Sequence, residues 1–155
     1  MLVQQNTQYK ELADRFFNKI KDYDFCFMDE EAAYEIAIGY IDAACNHFQS
    51  CQQDLDNRDN VVGEFLFVLL PNNKEILVNY MVIEWLTSNY ITTQSALKSR
   101  MSTTDFHKLD NNNLLAKAIE VRKSLKAEND QLAINRSYKN SELFDMVVNR
   151  NRKKV

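Results

Sequence analysis

Glycine and proline are scarce in this chain, whose 155 residues include two glycines and one proline. Many-stranded sheets need tight turns, and tight turns depend on these two residue types. The scarcity therefore argues against a sandwich or barrel and favours long helices. Apolar residues make up 45% of the chain, which is enough for a core and excludes global disorder.

Long apolar runs are also missing, since no stretch approaches the roughly 18 residues of a membrane-spanning helix. The first residues, MLVQQNTQYKELADRF, lack the apolar centre of a secretory signal. We therefore expect neither membrane insertion nor secretion by that route. The length fits one domain, which can bury roughly two thirds of its unfolded surface without metals or disulfides.

Cysteine usage predicts reduced thiols in a cytoplasmic setting, because Cys26, Cys45 and Cys51 are odd in number and form no CxxC pair. Cys45 falls on a helical face, as small core residues do. His47 and Cys51 are four residues apart, which could place two metal ligands on one helical face. No further ligand pair completes such a site, so no metal or cofactor is predicted.

Three aspartates in the polar stretch 52–60 invite comparison with a calcium loop. The glycine at the sixth position and the glutamate at the twelfth, which such loops require, are replaced by Asp59 and Phe65. We therefore interpret the stretch as a turn-forming loop.

Catalytic patterns are absent from the sequence, which has no convincing carboxylate pair, glycine-rich phosphate loop or nucleophile constellation. Glu84 lies inside an apolar run, where a paired or solvent-edge glutamate is far more common than a catalytic one. No catalytic residue is assigned, and the chain is predicted not to be an enzyme.

The stretch 75–90, EILVNYMVIEWLTSNY, is predicted to form the central buried helix, running from about 73 to 89. Its apolar residues cover more than one face, which is typical of a helix packed between others. Six side chains from this helix and the one before it are predicted to lie in the core: Ile41, Phe48, Tyr80, Met81, Trp85 and Leu86.

Helical spacing and capping residues predict four further helices, at about 7–21, 29–51, 92–101 and 113–136. The fold predicted is an all-α, compact bundle of about five helices. Phe25 and Phe27, in an ordered loop at 22–28, are expected to plug the core. The domain spans 1–140, and a C-terminal tail, 141–155, protrudes from it.

The last predicted helix carries an apolar seam near heptad spacing, interrupted by Glu128: Leu114, Ala118, Val121, Leu125 and Leu132. A seam this narrow suits a helix that lies along a bundle or along a neighbouring subunit.

The run 61–70, VVGEFLFVLL, is the one strand-like and extended apolar segment. A single strand has no partner inside the chain, so it is either a buried connector or an edge that pairs with a neighbouring subunit. Pro71 is expected to end it and to prime the next helix.

The tail joins a compact apolar knot to a basic end, which is typical of a peptide that docks on a partner. A last helix packed on its own domain, or a frayed terminus, would give the same pattern. Four positive charges without interleaved aromatic residues are only a weak indication of nucleic-acid binding. The predicted docking residues are Leu143, Phe144, Met146, Val147, Val148, Arg150 and Arg152.

Charge is distributed unevenly along the chain. Residues 1–60 carry 5 basic and 12 acidic side chains, whereas residues 61–155 carry 14 basic and 10 acidic ones. Parts of opposite sign suit head-to-tail neighbours in an assembly, and ordinary solvated surface is the alternative.

The order of these segments carries a resemblance. An N-terminal helix is followed by YEIAIGYIDAACNHFQSCQQDL, an extended apolar stretch, MVIEWL, a serine- and threonine-rich break, and DFHKLDNNNLLAKAIEVRKSLKAENDQLAINRSY. Over residues 8–140 the chain resembles the small helical head–tail connector proteins (adaptor, head-completion or neck proteins) of tailed bacteriophages that infect Gram-positive bacteria.

The resemblance implies a structural virion protein without enzyme activity. Such proteins form a ring, usually of twelve copies, under the portal at the head–tail interface, after assembling in the host cytoplasm. They extend the DNA channel, help retain the genome and present a surface to the next neck or tail protein. The implied partners are the portal, that downstream protein and other copies of the chain, while packaged DNA passes without specific binding.

Two other classes remain open. Another neck or tail-completion protein would have the same helical content. A small helical DNA-binding regulator would need clustered basic residues on a recognition helix, whereas those of the last helix are interleaved with Glu120 and Glu128.

Overall fold

The computed structural model describes residues 6–20, 25, 27–92 and 111–139. This part of the chain is mostly helical, as predicted. Its helices are α1 (Tyr9–Lys19), α2 (Glu30–His47), α3 (Pro71–Leu86) and α4 (Asn111–Lys139), and α3 continues into a π-helical segment, Thr87–Thr92. Three strands of two residues each accompany them: β1 (Thr7–Gln8), β2 (Arg58–Asp59) and β3 (Glu64–Phe65).

The prediction of an all-α bundle of about five helices therefore needs correction. The described residues contain four helices and a small sheet. The short helix predicted at 92–101 lies outside them, apart from Thr92 at the end of the π-helical segment. The whole tail, 141–155, also lies outside the described residues.

Helix α3 is the centre of the fold and packs against α1, α2 and α4. Proline at its first position suits a helix start, because proline lacks the N–H that would be unpaired there. Its buried side chains point in several directions, as predicted for a central helix: Asn73, Ile76, Leu77, Val78, Tyr80, Met81 and Ile83.

Helices α1 and α2 cover two sides of α3 with different residue types. The aromatic and aliphatic residues of α1 recur at helical spacing, and Phe16 is fully buried. Helix α2 buries mostly small residues, including Ala37 and Ala44, and packs extensively against α3. Small side chains at these positions allow the two helices to approach closely.

Four of the six predicted core residues, Ile41, Phe48, Tyr80 and Met81, are buried. Trp85 and Leu86 are only partly buried, because they lie in the last turn of α3, where it enters the π-helical segment.

The expectation that segment 61–70 has no partner inside the chain was wrong. Strand β3, within this segment, is the middle strand of the sheet and pairs antiparallel with β1 and with β2. In the register, Phe65 lies opposite both Thr7 and Arg58. Strands β1 and β2 have two residues each. The sequence pattern predicts a helix at β1 and a polar loop at β2, so neither strand was expected.

Side chains hold the rest of this segment in place. The Leu69 amide donates to Thr7 Oγ1 at 2.9 Å. Gln53 accepts from the Leu70 amide at Oε1 and donates from Nε2 to the Val68 carbonyl, both at 2.9 Å. The segment is therefore an extended connector that buries Leu69 and leaves Val68 and Leu70 exposed.

Of the two phenylalanines predicted to pack into the core from the loop at 22–28, only Phe25 does so. The Phe25 ring packs edge-on against Phe17, with centroids 5.2 Å apart, and against Phe16 at 6.4 Å. Phe27 is 87% exposed, so its predicted role in the core was wrong.

Within the described residues, no helix has both the length and the apolar character needed to cross a membrane.

Candidate interaction surfaces

The turn between β2 and β3 presents two apolar side chains to solvent. Val61 is 97% exposed and Val62 is 68% exposed. We call these two residues the hairpin tip. Exposed valines on a short turn contribute nothing to the core, so their chemistry suits a contact with another molecule.

Hydrogen bonds within the turn fix the hairpin tip. Asp59 Oδ1 accepts from the amides of Val61 at 2.8 Å and Val62 at 3.1 Å. The Gly63 amide closes the turn on the Asp59 carbonyl at 2.8 Å, and Gly63 adopts a φ of 78° that favours glycine. Asp59 therefore shapes the turn.

Tyr9 ties the turn to α1. Its hydroxyl donates to Asn60 Oδ1 at 2.6 Å, and its amide donates to the Gly63 carbonyl at 2.8 Å. Burial raises the pKa of Tyr9 to about 12, with nearby charges adding smaller effects of both signs. The hydroxyl consequently stays protonated, and keeps donating, across the physiological pH range.

Arg58 ties the same turn to α2. Its guanidinium lies 3.1 Å from Asp42 Oδ1 and donates to the Leu55 carbonyl at 2.9 Å. The sequence around the turn is acidic, because residues 42–64 include five acidic side chains and Arg58 as the one Lys or Arg. The hairpin tip is thus a fixed apolar point within an acidic stretch of the chain.

A second apolar surface runs along α4, and it consists of the seam found in the sequence. Ala118 belongs to this seam. The four large residues of the seam are 36% to 60% exposed: Leu114, Val121, Leu125 and Leu132. We call these four residues the α4 stripe. A different face of α4 is buried, through Leu115, Asn129 and Ala133.

Polar side chains account for this orientation of α4. Asn129, 2% exposed, accepts from Asn79 Nδ2 at 2.9 Å and donates to the Ile76 carbonyl at 3.1 Å. The Tyr80 hydroxyl donates to Asp130 Oδ1 at 2.7 Å. The described part of α4 therefore meets α3 through directional hydrogen bonds and through the buried Ala133, while its apolar seam stays exposed.

Charged side chains of α4 take part in this contact. Burial alone would raise the pKa of Asp130, but hydrogen bonds from Lys126 and Tyr80 and electrostatic effects of Lys126 and His47 outweigh it and lower the pKa. Lys126 lies 2.8 Å from Asp130 Oδ2. One turn earlier, Arg122 Nε donates to Thr87 Oγ1 at 2.7 Å.

The metal pair suggested by His47 and Cys51 is not formed on one helical face, because α2 ends at His47. His47 Nε2 lies 2.8 Å from Glu84 Oε1, and its ring stacks on Tyr80. Glu84 is therefore a paired carboxylate. Across the residues described, no group of three His, Cys, Asp or Glu side chains could hold a metal ion.

Cys45 and Cys51 are free thiols. Burial raises the pKa of Cys45 to about 11 and also raises the pKa of Cys51. Both thiols therefore remain protonated near neutral pH, and a protonated thiol is a poor nucleophile and metal ligand.

The predicted docking residues of the tail, from Leu143 to Arg152, lie outside the described residues. The structure instead adds Val61 and Val62, which sequence reasoning had assigned to a strand-like run. The signal was present in the sequence, since Asp59 and Asn60 before them and Gly63 after them are typical turn residues.

Comparisons with family models, with curated proteins and with solved structures find no match for this chain.

Proposed function

We propose that this chain is a structural protein of a tailed-phage virion, forming a ring under the portal that extends the DNA channel and joins head to tail. The order of segments over residues 8–140, which resembles that of the head–tail connector proteins, supports this proposal. Its surroundings would be the neck of the virion, and the host cytoplasm during assembly.

The observation that carries the proposal furthest is the presence of two separate apolar surfaces on one small helical domain. The hairpin tip and the α4 stripe belong to different elements, and each is exposed in the single chain. A ring subunit must contact one neighbour on each side, and two different surfaces satisfy that requirement.

Charge is consistent with the same role. The chain has a formal net charge of −3, which favours passage of DNA through a channel over tight binding to it. The acidic region around the hairpin tip and the basic α4 supply flanks of opposite sign. No residue is assigned a catalytic or cofactor-binding role in this function.

The direct test is electron microscopy of the chain mixed with the portal encoded in the same genome neighbourhood. Extra ring density beneath the portal, with matching or compatible symmetry, is expected. A bare portal, with this chain left in the supernatant, would contradict the proposal and favour a later neck or tail-completion protein or a DNA-binding regulator.

The tail is proposed as the element that docks on the portal. We expect replacement of both Phe144 and Met146 by Asp to abolish portal binding, because a charged pair cannot enter an apolar groove. Neutralising Lys153 and Lys154 is the matched control, and it should reduce binding less. Circular dichroism verifies that the helical domain stays folded, and unchanged portal binding by the double Asp variant would refute the docking role.

A further inference from the structure

The two apolar surfaces of this chain are chemically complementary. We propose that the hairpin tip of one copy docks on the α4 stripe of a second copy. This proposal rests on the proposed function, because a ring is built from copies of one chain and the partner is therefore taken to be another copy. It identifies the two faces through which neighbouring subunits would meet.

Charge selects this pairing. The hairpin tip lies in a stretch, residues 42–64, with five acidic side chains and one Arg. Helix α4, residues 111–139, carries six basic and three acidic side chains. Apolar contact surrounded by charges of opposite sign both favours association and sets its orientation.

The same charges argue against a symmetric pairing of α4 with α4 of a second copy. That contact would also cover the stripe, but it would bring together two helices with an excess of positive charge. Glu128, which interrupts the seam, would in addition lie at or near the covered surface, and a desolvated carboxylate is costly there. Docking of the hairpin tip avoids the repulsion between two positive helices. Because two valines cover only a part of the stripe, this docking does not require burial of Glu128.

The rigidity of the tip also favours this contact. Asp59, Tyr9 and Arg58 already hold the turn through hydrogen bonds and an ion pair. A surface that is ordered before binding loses little conformational entropy when it docks. Loss of one fully covered valine is therefore expected to lower the affinity about tenfold.

A contact between two different surfaces has a distinctive consequence. Each copy has one tip and one stripe, so association continues head to tail and closes into a ring when the rotation permits. A variant that lacks a working tip can still offer its stripe, and a variant that lacks a working stripe can still offer its tip.

This property gives the experiment, which is sedimentation velocity of the full chain and of two variants over a wide concentration range. Val62→Asp removes the tip, and Leu125→Asp removes the stripe. We expect wild type to form a series of oligomers and each variant alone to lose at least about tenfold in self-association affinity. An equimolar mixture of the two should form a pair with twice the 18.2 kDa mass of the chain and nothing larger.

The matched control is Ile134→Asp, because Ile134 is an exposed apolar residue of α4 that lies on roughly the opposite side of the helix from the stripe. It should assemble as wild type does. Val61→Asp and Val121→Asp provide a second tip variant and a second stripe variant should either first choice fail to fold.

Three outcomes would overturn the inference: a wild-type chain that stays monomeric at every concentration, a folded tip or stripe variant that self-associates as tightly as wild type, or a mixture that fails to pair. Failure here and failure of the proposed function are distinguishable. If the tip variant still forms a ring on the portal, the proposed function is supported and the tip–stripe contact is refuted. If the chain pairs head to tail but does not bind the portal, the contact is supported and the proposed function is refuted.

Discussion

At the scale of single residues, the two glycines differ in backbone conformation: one lies in a turn with a positive φ and the other lies in a helix. Gly63 has a φ of 78°, and an added Cβ would lie 3.8 Å from the Tyr9 ring, which is ordinary contact. Its importance is therefore in the backbone, since other residues are strained in the left-handed region. Gly39 lies in α2, where an added Cβ would meet nothing within 4 Å.

Replacement of each glycine by alanine should consequently change stability in opposite directions. Gly63→Ala is expected to lower the free energy of unfolding by about 1–2 kcal/mol, the cost of forcing alanine into that conformation. Gly39→Ala should raise it by about 0.5–1 kcal/mol, because glycine loses more entropy than alanine in a helix. Urea denaturation of both variants measures these changes, and a shift of the same sign in both would contradict the opposite roles of the two glycines.

At the scale of elements, α3 uses two kinds of contact. It meets α1 and α2 through a continuous apolar core. Asn79 and Tyr80 of α3, with Thr87 of the π-helical segment, form hydrogen bonds to α4. A hydrogen bond adds only a modest net stability, but loss of one of its two groups leaves the other group buried and unpaired, which is costly. Helix α4 is therefore the helix whose attachment is most sensitive to single polar residues.

Asn129→Ala should loosen α4 selectively, since it removes the acceptor of Asn79 Nδ2 and the side-chain donor to the Ile76 carbonyl. We expect a loss of about 1–3 kcal/mol, seen as faster amide hydrogen exchange in α4 with little change in α1 and α2. Asn135→Ala, at an exposed position on the same helix, is the control. Equal acceleration in all helices, or none in α4, would argue against a polar attachment.

At the scale of the whole molecule, a carboxylate of α1 and a carboxylate of α4 each bond to a side chain of α3. Glu11 of α1 lies 2.7 Å from Lys74 of α3, and Asp130 of α4 bonds Tyr80 of α3. Burial would raise the pKa of Glu11, but hydrogen bonds and charge from Lys74 and Arg15 outweigh it, so that its pKa, like that of Asp130, is lowered.

Because folding lowers both pKa values, these carboxylates stabilise the fold when they are charged. Their contribution is present above the unfolded-state pKa values of roughly 4 and is lost as the pH falls through the lower folded-state values. The melting temperature should therefore drop below about pH 4. In the double variant Glu11→Gln, Asp130→Asn it should be lower at pH 7 and depend less on pH in the acid range. An unchanged acid slope would exclude these two groups as its source.

The positions and types of the long elements were predictable from local pattern. The apolar residues of 75–90 indicated a central helix, and Pro71 indicated its start, because both signals lie within a few residues of the feature that they specify. The seam of α4 was also visible in the sequence, although its direction was not.

The sequence by itself determined the mostly helical class, the central place of α3 and the spacing of the α4 stripe, since each depends on side chains one or two turns apart. Only the tertiary structure decided the pairing of β3 with Thr7 and Arg58, the exposure of the hairpin tip and the burial of Asn129 in place of the stripe. The physical reason is distance along the chain: the partner of Asn129 is Asn79, 50 residues away. A hydrogen bond between such remote residues leaves no local periodicity to read, and it can outweigh an apolar seam in choosing which face of a helix turns inward.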